Sequence, residues 1–446
     1  MNFIIPKDVK YILDILYNRG FEAFVVGGCV RDTLLHKTPN DWDICTNAKP
    51  LEIKKCFENF TTFDSGLKHG TISVVYEKEV YEITTYRIDG DYEDNRHPNC
   101  VTFTDSVVMD LSRRDFTINA MAYNEKVGLI DPFNGQSDLL NRKIRCVRNA
   151  DKRFCEDALR IIRALRFAST YGFEIESETA KSIYRNKNLL DNIAIERINV
   201  EFIKLICGCG AEKILNDFRE VIAVFIPELT SEFNFNQNNK HHNRDLWHHT
   251  THSLISIEND EVLRMVMLLH DIGKPKCQTI GKNGESHFIG HPAVSSDMSR
   301  VILRRMKFSN DFIDECVCLI RYHDNRYSGS PKQLNRLLAK IGESRLKKLF
   351  KIFRADITAQ SDYNKQEKLE LVDLAEKDLN DILEKGQCFS LKQLKVNGSD
   401  MIDIGIKDGR KIGDTLKKLL NMVIEDEIEN DRYILLEAAQ KMNNSK

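Results

Sequence analysis

The sequence lacks several features that would assign it to a particular class of protein. Its 12 cysteines include no C-x-x-C pair, which argues against a zinc ribbon and against a disulfide framework. No apolar run approaches the roughly 18 residues that a membrane span needs, and the N-terminus has no apolar segment of signal-peptide length. Neither sign of charge dominates, since 65 Lys and Arg balance 67 Asp and Glu. These absences predict a cytoplasmic protein with reduced cysteines, no membrane contact, and only local patches for binding nucleic acid.

The composition predicts a folded protein of several domains. Of the 446 residues, 42% are hydrophobic and 30% are charged, and this length corresponds to about three domains. Period-two and helical patterns alternate up to residue 147, and helical periodicity dominates afterwards. The predicted fold class is therefore α+β, with a mixed α/β head at 1–147 and all-α segments at 148–230, 240–365 and 366–446. The polar stretch 231–244 is the best linker candidate, and a second break is predicted near 386–387.

Within the head, a helix is predicted around residues 9–16, and a second one over 51–57. Strands are predicted at 21–26, 43–45, 71–76 and 80–86, with the last two joined as a hairpin.

Residues 26–46 carry the first group of candidate functional residues. A Gly27-Gly28 pair between a strand and a helix lets backbone N–H groups approach a phosphate, and Arg31 adds a charged fork. Asp41 and Asp43 are one residue apart, so on a strand both side chains would point to one face and could share hard cations such as Mg²⁺. The order of these parts indicates two-metal phosphoryl transfer. A second D-x-D, at Asp89 and Asp91, is interpreted as a solvated loop.

This stretch resembles the head of the class II tRNA nucleotidyltransferase and poly(A) polymerase family. Residues 27–35 read GGCVRDTLL, and residues 113–120 (RRDFTINA) resemble the family's ribose-reading block. Residues 131–135 (DPFNG), 156–160 (EDALR) and 196–198 (ERI) match further blocks. The resemblance covers roughly residues 20–210 in the correct order, which chance explains poorly.

The resemblance implies roles for individual residues of the head. Asp41 and Asp43 would hold Mg²⁺, activate a tRNA 3′-hydroxyl and release pyrophosphate. Glu82 is the candidate third carboxylate, and the alternative is a solvent-facing strand residue. The residues implied to contact the triphosphate or ribose are Gly28, Arg31, Arg114 and Asp115.

The block at 156–160 predicts how a base could be chosen without a nucleic-acid template. Cytosine and adenine both present an exocyclic amine beside an unprotonated ring nitrogen. A carboxylate at Asp157 and a guanidinium at Arg160 would complement that pattern, and each mismatch with U or G would cost roughly 1 to 3 kcal/mol. Asp157 and Arg160 are at i and i+3 of a helix predicted over 155–168, and Arg163 and Arg166 continue the row. The alternative is an amphipathic helix with an ordinary charged face.

The product of the head is less sharply predicted. Residues 87–98 resemble the flexible loop that CCA-adding members use when they switch from C to A, and this favours complete CCA addition. The alternatives are an A-adding tRNA nucleotidyltransferase and a poly(A) polymerase. The implied partners are tRNA, CTP and ATP, and no protein partner is predicted.

Histidines form the second group, because nine of the 12 lie between residues 241 and 323. Residues 270–275 (HDIGKP) resemble the HD phosphohydrolase domain, which places this domain in segment 240–365. The implied metal ligands are His249, with His248 as an alternative register, His270, Asp271 and Asp356, joined by His291 and His323. Lys274 could hold a phosphate. The metal would be a divalent transition metal or Mg²⁺.

Several alternatives stay open at this point. The HD domain could be structural and without turnover, or the chain could be an HD phosphohydrolase whose head only senses nucleotides. A noncatalytic tRNA-binding protein is a further alternative. The segment 366–446, with VNGSD at 396–400 and glycines at 405, 409 and 413, resembles the tail that grips tRNA in bacterial members.

Overall fold

Ala23–Val26 form a fully buried strand at the centre of the sheet in the N-terminal part of the chain. The computed structural model describes residues 3–90 and 100–444, and the chain divides into two units, 1–230 and 231–446. Strands of the first unit are β1 (Ala23–Val26), β2 (Ile44–Thr46), β3 (Thr61–Gly66), β4 (Thr71–Tyr76), β5 (Glu79–Thr85), β6 (Arg87–Asp89), β7 (Val101–Phe103), β8 (Ala122–Asn124), β9 (Gly128–Ile130), β10 (Lys143–Ile144) and β11 (Glu174–Ile175).

The helices of the first unit lie at its start, between its strands and throughout its second half. They are α1 (Lys7–Asn18), α2 (Gly28–Leu34), α3 (Pro50–Cys56), α4 (Val107–Ser112), α5 (Gly135–Leu140), α6 (Ala150–Glu156), α7 (Leu159–Tyr171), α8 (Ser177–Asn186), α9 (Ile195–Ile206), α10 (Ala211–Asp217) and α11 (Arg219–Phe225). The mixed α/β head and the helical segment that follows it are thus as the sequence predicts.

The head sheet has the strand order β3-β4-β5-β2-β1-β8-β9. β2 and β5 are parallel, while β1 is antiparallel to both β2 and β8. β4 and β5 form the predicted hairpin, and its turn residues Glu77 and Lys78 have φ of 48° and 74°, as a tight two-residue turn requires. The sheet places the ends of β1, β2 and β5 side by side.

Three local predictions differ from the structure. Asp43 precedes β2 instead of lying on it. The helix predicted over 155–168 is broken at Asp157, which has the extended values φ −140° and ψ 103°. Asp89 is not solvated, because it lies on β6 with a side chain only 7% exposed, 3.1 Å from Arg87 Nε. Of the loop predicted at 87–98, residues 91–98 lie outside the described part of the chain.

The second unit is built from helices with one short hairpin. Its helices are α12 (Leu246–Ile255), α13 (Glu261–Leu269), α14 (Lys274–Cys277), α15 (His291–Arg305), α16 (Asn310–Tyr322), α17 (Pro331–Ile341), α18 (Glu343–Ala359), α19 (Lys365–Glu384), α20 (Gly398–Asp403), α21 (Gly409–Ile424) and α22 (Arg432–Asn444). The hairpin strands are β12 (Thr279–Ile280) and β13 (Ser286–His287). Within residues 3–90 and 100–444, no helix is long and apolar enough to cross a membrane.

Helix α13 lies at the centre of this unit and packs against α12, α16 and α18. The polar stretch 231–244 follows the boundary between the units, yet Glu232 and Gln237 in it are fully buried. Helices α20 to α22 enclose a core of their own, which includes Met401, Leu419 and Leu435. The break predicted near 386–387 coincides with the end of α19, where Gly386 has φ +61°.

Candidate active site and metal centre

Three carboxylates meet at the edge of the head sheet where β1, β2 and β5 are adjacent. The Asp43 carbonyl accepts a hydrogen bond from Val26 N at 3.0 Å, which fixes the chain just before β2. β2 and β5 pair Ile44 with Ile83 in parallel, so continuing this register by one residue places Asp43 beside Glu82. Desolvation raises the pKa of Asp43, and the charges of Asp41 and Glu82 raise it further against the opposing effect of Arg114. This edge of the sheet therefore favours a cation.

The three head carboxylates are neighbours, but their oxygen atoms do not all lie within 4.8 Å of one another. Groups of three or more metal-ligating atoms within 4.8 Å of one another occur, among the residues that the structure describes, only in the second unit. Carboxylates repel one another, which accounts for their separation.

Gly27, which the site prediction did not include, is the glycine that the geometry requires. Its φ is +82°, and a Cβ added there would lie 2.7 Å from Arg114 Nη1. At Gly28 the nearest atom to such a Cβ, Arg31 Nη2, is 3.5 Å away, which is an ordinary contact. A side chain at position 27 would displace Arg114 from the carboxylates.

Arg31 is buried and held in place by several protein groups. Its Nε and Nη2 donate to the two carboxylate oxygens of Asp32 at 2.9 Å, and Nη1 donates to Asn119 Oδ1 at 2.6 Å. Its guanidinium carbon lies 5.2 Å from the ring centroid of Phe167 and 5.1 Å from that of Tyr171. Arg31 thus links α2 to the surface of α7.

Asp115 is a second link between the head and α7. Its Oδ2 accepts from Nη2 of Arg163 at 2.7 Å, and its Oδ1 accepts from Asn119 Nδ2 at 3.0 Å. Burial alone would raise the pKa of Asp115, but Arg163 and the hydrogen bond from Asn119 lower it to about 2. Asp115 is therefore ionised across the physiological pH range and fixes Arg163.

The predicted base-selecting residues lie at the start of α7. Asp157 occupies the break between α6 and α7, where its Oδ1 accepts from Leu159 N at 3.1 Å and its Oδ2 from Arg197 Nη2 at 3.3 Å. Arg160 donates instead to Glu156 Oε2 at 2.8 Å. The helical i, i+3 relation predicted for Asp157 and Arg160 is thus wrong, since only Arg160 is in the helix.

Arg197 and Glu201 interact with the predicted residues of this region but are not in the predicted set. The predicted Arg163 and Arg166 both donate to Glu201 of α9, at 3.3 and 2.9 Å. The ERI block at 196–198 was a usable signal for Arg197, and Glu201 is four residues from that arginine on the same helix.

The second unit buries a histidine–aspartate cluster made of His249, His270, Asp271, His291, His323 and Asp356. One group of ligand atoms comes from His249, His270, Asp271 and Asp356, and a second from Asp271, His291 and His323. His249 Nε2 is 3.0 Å from Asp356 Oδ1, while His270 Nε2 is 3.1 Å from Asp271 Oδ2. Asp271 belongs to both groups, since its Oδ2 lies 3.1 Å from His270 Nε2 and its Oδ1 lies 3.2 Å from His291 Nε2. The structure brings together all six residues that the sequence predicted as ligands.

Backbone carbonyls fix the orientation of three of these imidazoles. The Nδ1 atoms of His270, His291 and His323 lie 2.7 to 2.8 Å from the carbonyls of Met267, Phe288 and Ile320. A carbonyl can only accept, so each Nδ1 donates, and in a neutral ring the lone pair is on Nε2, facing the cluster. This second contact orients metal-binding histidines. His248, the alternative register, is instead exposed and bonded to Asp245 at 2.7 Å.

A bound cation would satisfy several polar atoms of the cluster. Nε2 of His249, Nε2 of His270 and both oxygens of Asp271 are buried and make no hydrogen bond with the described residues, although Asp271 Oδ2 forms an ion pair with Lys274. The Nε2 atoms of His291 and His323 face each other at 3.2 Å, and this is repulsive unless a cation or proton lies between them. Burial alone would lower the pKa of His270, but Asp271 and Asp356 raise it to about 10.

A cavity of about 580 Å³ reaches the cluster. Lys274 lines it and donates to Gln237 Oε1 at 2.9 Å, with Asp271 Oδ2 at 2.7 Å. Glu232, which the sequence gave no reason to select, is fully buried nearby, and burial raises its pKa to about 8. The arrangement can hold metal ions beside a space large enough for a small ligand.

Comparisons with known proteins cover both units. Residues 23–145 match the Poly A polymerase head domain, 172–233 a probable RNA- and SrmB-binding site of polymerase A, and 288–439 a putative tRNA nucleotidyltransferase domain 2. Curated CCA-adding enzymes of Ligilactobacillus salivarius and Pediococcus pentosaceus are each 34% identical to this chain, with 98% of both chains covered.

Solved structures of CCA-adding enzymes are also similar to this chain. The Bacillus stearothermophilus CCA-adding enzyme in complex with CTP is similar at 28% identity and a TM-score of 0.72, with 99% of each chain covered. A Thermotoga maritima CCA-adding enzyme complexed with tRNA shares the fold at 21% identity and a TM-score of 0.60.

Proposed function

The chain belongs to the family of CCA-adding enzymes, and on that premise we propose that it adds C, C and A to the 3′ end of tRNA at the head site. The substrates are CTP and ATP, and no nucleic-acid template takes part. The reaction is assigned to the head because Asp41, Asp43 and Glu82 lie near one another at one edge of the sheet, beside Arg114.

The carboxylates of the head are hard oxygen ligands, which suit Mg²⁺. Held by Asp41, Asp43 and Glu82, Mg²⁺ would supply Lewis-acid polarisation of a phosphoryl oxygen. The tRNA 3′-hydroxyl loses its proton to solvent and its oxygen attacks the α-phosphorus, so that the new O–P bond forms and the bond to the departing pyrophosphate breaks. Gly27 leaves room for Arg114 close to this point, where a guanidinium can bind the triphosphate or ribose.

Base selection is assigned to Asp157 and Arg160. Asp157 forms an ion pair with Arg197, and Arg160 forms one with Glu156. These ion pairs fix both side chains in position to contact a base. The carboxylate accepts from the exocyclic amine of C or A, and the guanidinium donates to the adjacent ring nitrogen. Asp115 and Glu201 fix the neighbouring Arg163 and Arg166.

The remaining assignments concern partners and compartment. The segment 366–446 is proposed to bind tRNA, as the tail of the family does. All 12 cysteines are free, which supports a reducing cytoplasm as the place of action.

A second activity is proposed for the histidine–aspartate cluster, namely metal-dependent hydrolysis of phosphate esters. Four imidazoles and two carboxylates suit a divalent transition metal, and the unsatisfied Nε2 and carboxylate oxygens support its presence. When bound, the metal supplies Lewis acidity. Lys274 binds and orients the phosphate, and the fixed imidazoles keep their lone pairs directed at the cluster.

Paired variants test the two activities together. Asp41→Ala is expected to abolish incorporation of labelled CTP into tRNA while hydrolysis of p-nitrophenyl phosphate survives. Asp271→Ala is expected to do the reverse. The control is Asp64→Ala. Asp64 is an exposed aspartate of β3 that pairs with Lys54. Survival of nucleotide incorporation in Asp41→Ala would refute the head assignment, and survival of hydrolysis in Asp271→Ala would refute the second activity.

A further inference from the structure

The cavity over the histidine–aspartate cluster extends well beyond the metal ligands. Its lining includes Asp271, His291, His323 and Asp356, and continues through Arg326, Gln360 and Lys368 to the apolar residues of α19. Its volume, about 580 Å³, lies in the range of small-ligand sites and exceeds what one phosphate needs. Residues beyond the cluster therefore bear on which ligand fits.

Lys368 of α19 brings a positive charge close to the cluster. Its Nζ donates to Gln360 Oε1 at 2.8 Å, and Gln360 Nε2 donates to Asp356 Oδ2 at 3.1 Å. The ammonium group is thus one amide group away from a metal ligand. It also lies 3.3 Å from His241 Nδ1, on the wall of the same cavity.

Lys368 differs from the other cations nearby in its lack of a counter-ion. Lys274 pairs with Asp271 at 2.7 Å, and Arg326 pairs with Asp356. In the described part of the chain, no carboxylate lies within 4.0 Å of the Lys368 ammonium. Partial burial lowers the pKa of Lys368, and the charge of Arg326 lowers it further. A half-buried cation beside a second cation is stabilised when an anion binds.

We propose that Lys368 and His241 form a second anion subsite, so that this cavity takes a ligand with two phosphoryl groups, one at the cluster and one at Lys368. The inference rests on the phosphohydrolase function proposed above and specifies its substrate class. Water attacks the phosphorus at the cluster, the P–O bond to the leaving group breaks, and the leaving oxygen gains a proton from that water. The products are inorganic phosphate and either an alcohol, when the two phosphoryl groups are on different oxygens of the ribose, or a nucleoside monophosphate, when they are adjacent; the second phosphoryl group stays intact.

The test measures binding and turnover with the full-length protein and Mn²⁺. The probes are adenosine 3′-monophosphate, adenosine 3′,5′-bisphosphate and adenosine 5′-diphosphate, which separate a phosphate across the ribose from an adjacent one. At least one two-phosphate probe is expected to bind about tenfold or more tightly than the monophosphate. Lys368→Met is expected to reduce that ratio to near one, and Lys368→Arg to retain most of it.

Two controls make the result specific. Lys377→Met, at an exposed lysine of the same helix, is expected to keep the wild-type ratio. Any preference that persists in the double variant Asp271→Ala, Lys368→Met belongs to nucleotide binding elsewhere in the chain and is subtracted.

The outcomes separate the two hypotheses. An equal affinity for all probes in the wild type, or an unchanged ratio in a folded Lys368→Met protein, would overturn the second subsite. If hydrolysis of the monophosphate is nevertheless observed, the proposed phosphohydrolase function stands without the subsite. If no probe is hydrolysed but the Lys368-dependent preference is present, the subsite stands as a binding site and the hydrolase function fails.

Discussion

Single residues at the ends of strands and helices carry the chemistry of both sites. Asp43 is fixed by a backbone hydrogen bond just before β2, and Gly27 allows Arg114 to approach. The sequence identified Asp41 and Asp43 because two aspartates one residue apart can be recognised as a candidate cation site without knowledge of the fold. It did not identify Gly27 over Gly28, because that choice depends on Arg114, which is 87 positions further along the chain. Contacts between residues so far apart in the sequence can be recognised only in the folded structure.

The role of Glu82 can be tested against a neighbour on the same strand. Glu82 and Glu79 are both exposed glutamates of β5, but only Glu82 acts on Asp43. Glu82→Gln is expected to lower kcat for CTP addition by about 100-fold or more, because one metal-binding carboxylate is lost. Glu79→Gln should stay near the wild-type rate. Equal rates for the two variants, measured under single turnover, would make Glu82 an ordinary surface residue.

Asp157 is expected to control which base is accepted. Asp157→Ala removes the acceptor for the amine of C or A, so discrimination against UTP and GTP should fall by about 10- to 100-fold. The ratio of kcat/KM for CTP to that for UTP measures this. Arg197→Lys provides a comparison in which Asp157 remains but its support is altered. Unchanged exclusion of UTP and GTP in Asp157→Ala would refute the base-selection argument.

Helix termini position most ligands of the histidine–aspartate cluster. His270 and His323 follow directly after α13 and α16, and His291 is the first residue of α15. The six ligands were predictable because the family pattern is a sequence of residue types in order. The position of Asp271 between the two groups was not, since it depends on how the five helices α12, α13, α15, α16 and α18 pack. The break at Asp157 was also unpredicted, because the apolar stripe of α7 runs through it without interruption.

Metal content tests this arrangement of helices. We expect the wild type to bind two divalent transition-metal ions per chain at the cluster, and His323→Gln to bind one, because one of the two groups loses a ligand. His248→Gln should keep both ions, since His248 is exposed and bonded to Asp245. Elemental analysis after dialysis gives the stoichiometry. Equal metal content in wild type and His323→Gln would contradict the two-group arrangement.

The link between Asp115 and Arg163 joins the head to α7 and gives a pH-dependent prediction. The folded-state pKa of Asp115 is lowered to about 2 from 3.8, so the stabilisation is fully present above about pH 4 and is lost as pH falls towards 2. It amounts to on the order of 2 kcal/mol. Asp115→Asn should therefore lower the urea midpoint at pH 7, and its difference from the wild type should narrow below pH 4. A difference independent of pH would show that the carboxylate charge is not the cause.

At the scale of the whole molecule, the chain carries two chemically distinct sites in two units. The head offers carboxylates suited to Mg²⁺, whereas the second unit offers imidazoles and carboxylates suited to a transition metal. Both sites are proposed to act on phosphoryl groups, and the full-length similarity to CCA-adding enzymes spans both units. The passage from a mixed α/β head to helices was predictable from the change in periodicity near residue 150, which lies inside the first unit. The burial of Glu232 and Gln237 within the polar stretch 231–244 was not, because it depends on contacts such as the hydrogen bond that Gln237 accepts from Lys274, 37 residues further along the chain.

The most direct test of the central claim is an ordered-addition assay. Purified protein and Mg²⁺ are incubated with tRNA ending at the discriminator base, at C or at CC, with CTP and ATP supplied separately and together. We expect two C residues with CTP alone on the shortest tRNA, A only on the CC end, and complete CCA when both nucleotides are present. Addition of A alone to the CC end, with no incorporation of C on any substrate, would refute CCA addition, as would no addition at all.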